Sequence, residues 1–377
     1  MKKTLLTGLA LGAALAFSGS AFAADLKLAV AGPVTGPNAT FGKQLTEGAK
    51  QAVEDINKAG GILGQKLVLE IGDDASDPKQ GVSLANKFAG EGVKLVLGHF
   101  NSGVTIPSSE VYKESGMLMI TPSATNPMLT DREGYWNVFR TCGRDDQQGS
   151  VAAAWILSHF KGKNIAVVHD KTPYGKGLAD ATKTNLNKGK VTEVVYEGIN
   201  TGEKDYSALV SKLKAANVDL VYFGGLHTEA GLIIRQMRDQ GLNAPMMSGD
   251  GITDKEFAQI GGPGTDGTLM TFAPDPRKHP EAAKVVAAFK AKNYDPEAYT
   301  LYTYAALQIM AEAAKEAGKI DTKKMAEIMH SGKVFKTVIG DIAYDKKGDI
   351  TRPDYVMYVW KKNSAGVIDY TNNEIAN

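Results

Sequence analysis

A single cysteine, Cys142, occurs in 377 residues. One thiol forms no bridge within the chain, so stability must come from packed cores, with Cys142 read as a buried structural residue beside Phe139. An excess of one charge sign is also missing, because 43 Lys and Arg face 42 Asp and Glu. That balance offers nothing to draw in nucleic acid or an anionic membrane in bulk. After the N-terminal segment, no run approaches the ~20 apolar residues of a spanning helix. The chain contains no Gly-x-x-x-x-Gly-Lys, His-Glu-x-x-His, Cys-x-x-Cys or Gly-x-Ser-x-Gly motif, and no Gly-x-Gly-x-x-Gly follows the first strand. The signatures of nucleotide, zinc, thiol-redox and serine-hydrolase chemistry are therefore lacking. The six histidines never pair at i, i+4, which removes the simplest helical metal site. Asp73-Asp74-Ala75-Ser76-Asp77 has neither the glycine nor the distal Glu of a calcium loop, and Asp77 before Pro78 reads as a helix cap. No cofactor, no metal and no catalysis are expected.

What is present begins at Lys2 and Lys3, followed by an apolar stretch from Leu5 to Phe17 and then Ser18-Gly19-Ser20-Ala21-Phe22-Ala23. These are the charged, apolar and small-residue parts of an export leader, with residues 1–23 as the signal peptide and cleavage after Ala23. No cysteine follows to carry a lipid. The mature chain of 354 residues is expected to be soluble outside the cytoplasm. That length suits two lobes of about 150–200 residues rather than one core.

The pattern supports two such lobes. Strands are predicted at 26–31, 66–71, 93–97 and 117–121, with helices between them ended or opened by Gly60-Gly61, Asp77-Pro78 and Ser102. The pattern restarts after a helix at 151–160, with strands at 164–169, 191–196, 218–223 and 245–248 alternating with helices. Alternation of this kind marks a parallel sheet covered on both faces. The C-terminal third adds helices at 280–290, 298–317 and 322–330, and short strands near 338–344 and 355–360, some of them needed to complete the sheets. The expected fold is α/β: two doubly wound parallel-sheet lobes joined by a three-segment hinge. The N-terminal lobe would comprise 24–142 plus 272–350, and the C-terminal lobe 143–271 plus 351–377.

In open α/β sheets, ligands bind beyond the carboxyl ends of the strands. The residues there are Phe100 and Ser102, then Ser123 and Thr125, then Tyr174, Leu226 and Asp250. Hydroxyls and a helix N-terminus suit an α-carboxylate. Asp250, helped by the Ser123 carbonyl, suits an α-ammonium. Tyr174 supplies an aromatic wall. The set fits a zwitterion.

The chain resembles the Leu/Ile/Val-type substrate-binding proteins of ABC transporters, the periplasmic binding fold of type I. The resemblance spans nearly the whole mature chain. It is carried by Gly60-Gly61-Ile62, Asp73-Asp74, Asp77-Pro78, Gly98-His99, Ile120-Thr121-Pro122, His169-Asp170-Lys171, Tyr174-Gly175, Gly202-Glu203-Lys204-Asp205, Gly224-Gly225, Tyr304-Ala305-Ala306-Leu307-Gln308 and Asp345-Lys346-Lys347-Gly348-Asp349. It implies a periplasmic, monomeric receptor that passes a free amino acid to a membrane permease. The family's ligand positions match Ser102, Ser123, Thr125 and Asp250, with aromatics at Tyr174, Tyr299 and, on the first loop, Phe41. Three departures stand out. Ser76 and Asn101 replace the cysteines of members that carry a disulfide, Leu226 replaces a tyrosine, and Asp250 is one methylene shorter than the usual Glu.

The resemblance places Tyr299 at the ligand's side-chain end, near Phe100. If both rings point inward, Leu and Ile are crowded, and Ala, Pro, Gly or γ-aminobutyrate fit better. If Phe100 points away, aliphatic side chains fit. Micromolar capture needs about −8 kcal/mol. Spread over leucine's nine heavy atoms, that is roughly −0.9 kcal/mol each, close to the ceiling for tiny ligands. Both lobes must therefore enclose the ligand. Two other functions are compatible with the sequence: an exported sensor module reporting to a membrane receptor, and an exported hydrolase built on Ser102, His99 and Asp250.

Overall fold

The computed structural model describes residues 25–352 and 354–375. The leader and its cleavage point lie outside the described residues.

The first sheet is formed by β1 (Leu26–Gly32), β2 (Leu67–Asp73), β3 (Leu95–Gly98), β4 (Leu118–Thr121) and β5 (Val138–Arg140), all parallel, in the order β2-β1-β3-β4-β5. Strand alternation sends Leu28, Val30, Leu95, Leu97, Leu118 and Ile120 into one core and Ala29, Ala31, Val96 and Met119 into another. Both faces of the sheet are thus buried, which is why its strands read as continuous apolar runs. Helices α1 (Ala39–Lys58), α2 (Pro78–Gly90), α3 (Ser102–Glu114) and α4 (Met128–Asp131) belong to this half. The Asp77 carboxylate accepts the Lys79 and Gln80 N–H groups at the start of α2, the cap expected from Asp-Pro.

α5 (Asp145–His159) then enters a second half built from β6 (Ile165–His169), α6 (Pro173–Lys188), β7 (Val195–Gly198), α7 (Ser207–Ala215), β8 (Leu220–Gly224), α8 (His227–Asp239), β9 (Met246–Ser248), α9 (Glu256–Gly261) and β10 (Leu269–Phe272). Its parallel strands run β10-β9-β8-β6-β7, the same winding as the first sheet. The chain returns through α10 (Ala283–Ala291) to α11 (Ala298–Ala317), which packs on α1, β3 and β4, and to α12 (Thr322–His330). The hairpin β11 (Phe335–Thr337) and β12 (Gly340–Ile342) packs on α11 and joins neither main sheet, so of the two short C-terminal strands expected near 338–344 and 355–360 only the second extends a main sheet. Its strands are three residues long and Gly340 adopts φ 92°, so the segment folds back on itself. β13 (Val356–Val359) adds to the second sheet antiparallel to β10, and β16 (Glu374–Ile375) pairs with β13. β14 (Lys361–Lys362) and β15 (Ile368–Asp369) form a separate hairpin. The chain therefore passes between the sheets three times, after β5, after β10 and before β13.

Candidate functional site

Turns at the carboxyl ends of strands in both sheets face one another and leave a cavity of about 230 Å³ between them. That is below the roughly 300–1,000 Å³ of sites for drug-sized molecules, so the space suits a smaller ligand. Phe100, Ser102 and Ser123 line it from the first sheet's strand ends, Tyr299 from α11, and Tyr174, Leu226 and Asp250 from the second half. Seven of the nine residues singled out from the sequence therefore meet at one space. Phe41 and Thr125 stand behind the wall. Phe41 lies in the first turn of α1, not on a loop, and its ring stacks on Phe100 at 4.4 Å. Thr125 is fully buried, with its hydroxyl beside the Asp145 carboxyl.

Phe100 and Tyr299 both line the cavity, and their rings meet edge to face with centroids 5.4 Å apart. They make one wall apolar. At the Tyr299 hydroxyl the lining becomes polar. Asp250 is 2% exposed, yet its carboxylate accepts from Tyr174 Oη at 2.8 Å, Gln148 Nε2 at 3.1 Å and Tyr299 Oη at 3.1 Å. Burial pushes its carboxyl above the usual range, and the three donors oppose that shift. A cation placed here would be stabilised by a dry, oriented carboxylate. Tyr299 thus lines the cavity and also reaches Asp250 with its hydroxyl. Across the cavity, the first turn of α3 begins at Ser102. Ser102 Oγ accepts the Asn126 N–H at 3.2 Å, and Ser123 Oγ donates to the Phe100 carbonyl at 3.0 Å. A helix N-terminus with two hydroxyls beside it is an anion-binding end.

Sequence reasoning missed Gln148. Its Oε1 accepts the Asp250 N–H and the Thr271 hydroxyl, both at 2.8 Å, while its Nε2 serves the Asp250 carboxylate. It sits on α5, away from any strand end, where nothing in the pattern marks it. Ser76, Asn101, Thr172, Pro173 and Thr201 also reach the cavity.

The halves touch around the cavity. Asn126 Nδ2 donates to the Pro173 carbonyl at 2.6 Å, and Thr40 Oγ1 to Asp254 at 2.6 Å. The His227 ring meets Phe41 edge-on at 5.0 Å. The structure is a closed clamshell.

Comparison with known proteins agrees with this architecture. The sequence pattern described as periplasmic binding protein matches residues 25–365. The chain belongs to the periplasmic binding protein family. A Leu/Ile/Val-binding protein homolog 1 of Brucella melitensis is 58% identical over 370 residues, covering 98% of this chain and 99% of the relative. The crystal structure of the leucine-binding protein LivK from Thermotoga maritima superposes with a TM-score of 0.84 at 28% identity, covering 92% of this chain and 97% of that one. The branched-chain amino acid binding protein LivJ of Streptococcus pneumoniae, solved with isoleucine, superposes at 0.82 with 25% identity, covering 92% and 99%. The family and these relatives are binding proteins. In this periplasmic binding protein, the serine-hydrolase arrangement does not assemble. His99 is fully buried, with Nδ1 2.7 Å from Asp74 and Nε2 2.7 Å from the Tyr112 hydroxyl. The Cys142 thiol is buried against the Ala124 carbonyl, and burial pushes its pKa up, away from reactivity. Among the described residues, no helix is long and apolar enough to cross a membrane.

Proposed function

We propose that this protein is the exported, solute-binding component of an ABC-type amino-acid import system. Its signal peptide, residues 1–23, is removed after Ala23, and the mature protein works in the periplasm as a monomer. The lobes 24–142 plus 272–350 and 143–271 plus 351–377 close on a free amino acid, and the closed form docks on a membrane permease. The ammonium binds Asp250, and the carboxylate binds the start of α3 with Ser102 and Ser123. Tyr174 and Leu226 cover the backbone of the ligand, while Phe100 and Tyr299, backed by Phe41, enclose its side chain. Thr125 acts from behind this wall. No catalysis, cofactor or nucleic acid enters the role.

The observation that carries this function is the pairing, in one cavity between the halves, of a buried acid with a helix N-terminus. The named relatives favour a branched-chain ligand. The two rings lining the cavity favour a smaller one such as Ala. A thermal-shift screen of all amino acids and γ-aminobutyrate decides between them: the physiological class raises the melting midpoint most. No shift with any compound would remove the function proposed here.

A further inference from the structure

Outside the ligand cavity, the two halves meet at a second polar cluster. Asp254 follows β9 in the second half and is fully buried. Its carboxylate accepts from Thr40 Oγ1 at 2.6 Å and from Gln44 Nε2 at 3.0 Å, both on α1 of the first half. The same Gln44 Nε2 lies 3.2 Å from Glu297 Oε2, at the N-cap of α11 in the first half. One amide group therefore bridges a second-half carboxyl group and a first-half one across the closed cleft. Two ionised carboxylates sharing one donor repel each other in a partly dry site.

We propose that Glu297, Asp254 and Gln44 form a proton-coupled closure latch, in which shutting the cleft on an amino acid takes up one proton at Glu297. The proposal rests on the amino-acid reading above and adds a regulation to it. Glu297 is the acceptor because Asp254 is already satisfied by Thr40, Gln44 and the Glu256 N–H at 2.9 Å. A neutral Glu297 can donate to Asp254.

The surroundings of Glu297 support this. From the second half it faces Asp254 and Lys255, the latter at 3.7 Å and largely exposed. Along α1 stand Gln44, Lys43 and Glu47. Arg277 is engaged by Asp275 at 2.9 Å and lies 3.8 Å from Asp295. The Tyr294 hydroxyl is bonded to Thr300, and Tyr370 is buried nearby. Burial and the Asp254 charge outweigh Lys255 and Arg277, so Glu297 is pushed up to about 8. Opening withdraws Asp254 and returns Glu297 towards its ordinary 4.5. The closed form thus holds more protons than the open form between these values, and acid favours closure there. Asp250 titrates in the opposite sense for binding, so the comparison must be with a variant that keeps Asp250.

The test is calorimetric titration with L-leucine and L-alanine between pH 6 and pH 8.5, on the wild-type protein, Glu297→Gln and Asp254→Asn. The expected result is that the wild-type Kd rises relative to the Glu297→Gln Kd by tens of fold across this range, approaching tenfold per pH unit. Titrations in buffers of different ionisation enthalpy should show uptake of about one proton more by the wild type than by the variant. Asp254→Asn, which removes the repelling charge but leaves the burial of Glu297, should make the profile shallower than that of the wild type. Wild type and Glu297→Gln with parallel profiles overturn the latch while leaving the amino-acid function intact. No binding of any amino acid at any pH overturns that function and the latch with it.

Discussion

The Tyr299 hydroxyl donates to the Asp250 carboxylate at 3.1 Å, and the two residues come from opposite halves of the chain. Shutting the cleft therefore does more than exclude water. It delivers a first-half donor to the second-half acid and fixes that acid where an ammonium would sit. Charge recognition and closure are coupled through this contact.

Replacing the acid separates recognition from folding. Asp250→Asn keeps the shape and its neighbours but removes the charge. Losing a buried charged partner costs about 2–5 kcal/mol, so binding of the amino acid weakens by at least about 30-fold. Burial disfavours the Asp250 anion in the free protein, so the variant should melt no lower than wild type. Calorimetry and thermal melts read both effects. By the same shift, wild-type binding weakens as pH falls through the raised pKa of Asp250, because the protonated acid no longer attracts an ammonium.

Gly103 marks how closely the halves approach. A Cβ there would lie 3.0 Å from Pro173 Cδ across the cleft. Gly103→Leu should wedge the cleft open and weaken binding by more than tenfold, while the melting point of the ligand-free protein changes little. Scattering should show that ligand no longer contracts the particle. Unchanged affinity would mean that α3 and α6 need not approach this closely.

A buried ion network ties two of the three crossings. Arg140 Nε and Arg144 Nη1 each lie 2.7 Å from the Asp349 carboxylate, and the Thr130 hydroxyl donates to it at 2.9 Å. Asp349→Ala leaves Arg140 buried without its counter-charge and should cost about 3–5 kcal/mol of stability, seen as a lower melting midpoint. Beside it, Arg144 and Lys347 hold the Asp131 carboxyl down to about 2. Its folded pKa is below the unfolded value, so its stabilising effect is full above about pH 4 and is lost as pH falls towards 2.

Phe100 sets the room for the ligand's side chain. Phe100→Ala should move preference towards longer aliphatic amino acids. The ceiling is about 0.8 kcal/mol per added CH₂, or roughly 2.4 kcal/mol between Ala and Leu. Competition between the two in calorimetry measures the change. An unaltered ratio would show that Phe100 does not define that end of the cavity.

Much of this architecture was readable from residues alone. Strands buried on both faces appear as apolar runs, and each site-bearing run ends in a turn rich in Gly, Ser or Thr. α3 begins at Ser102, as the pattern predicted. β5 was not readable, because three residues ending in the buried Arg140 look like a polar turn. α5 starts at Asp145 rather than Val151, because Gln147 caps the Arg144 backbone N–H across a stretch that reads as polar. Gln148 escaped notice for the same reason, since its partners Asp250 and Thr271 lie over 100 residues away. Cross-cleft partners such as Gln44 and Asp254 are likewise fixed by closure and leave no periodic trace.

The most direct measurement is a crystal structure of the mature protein with the amino acid that most raises its melting point. The account predicts the α-ammonium within hydrogen-bond reach of Asp250 and the α-carboxylate at Ser102 and Ser123. An amino acid bound the other way round, or outside the space between the halves, would contradict it.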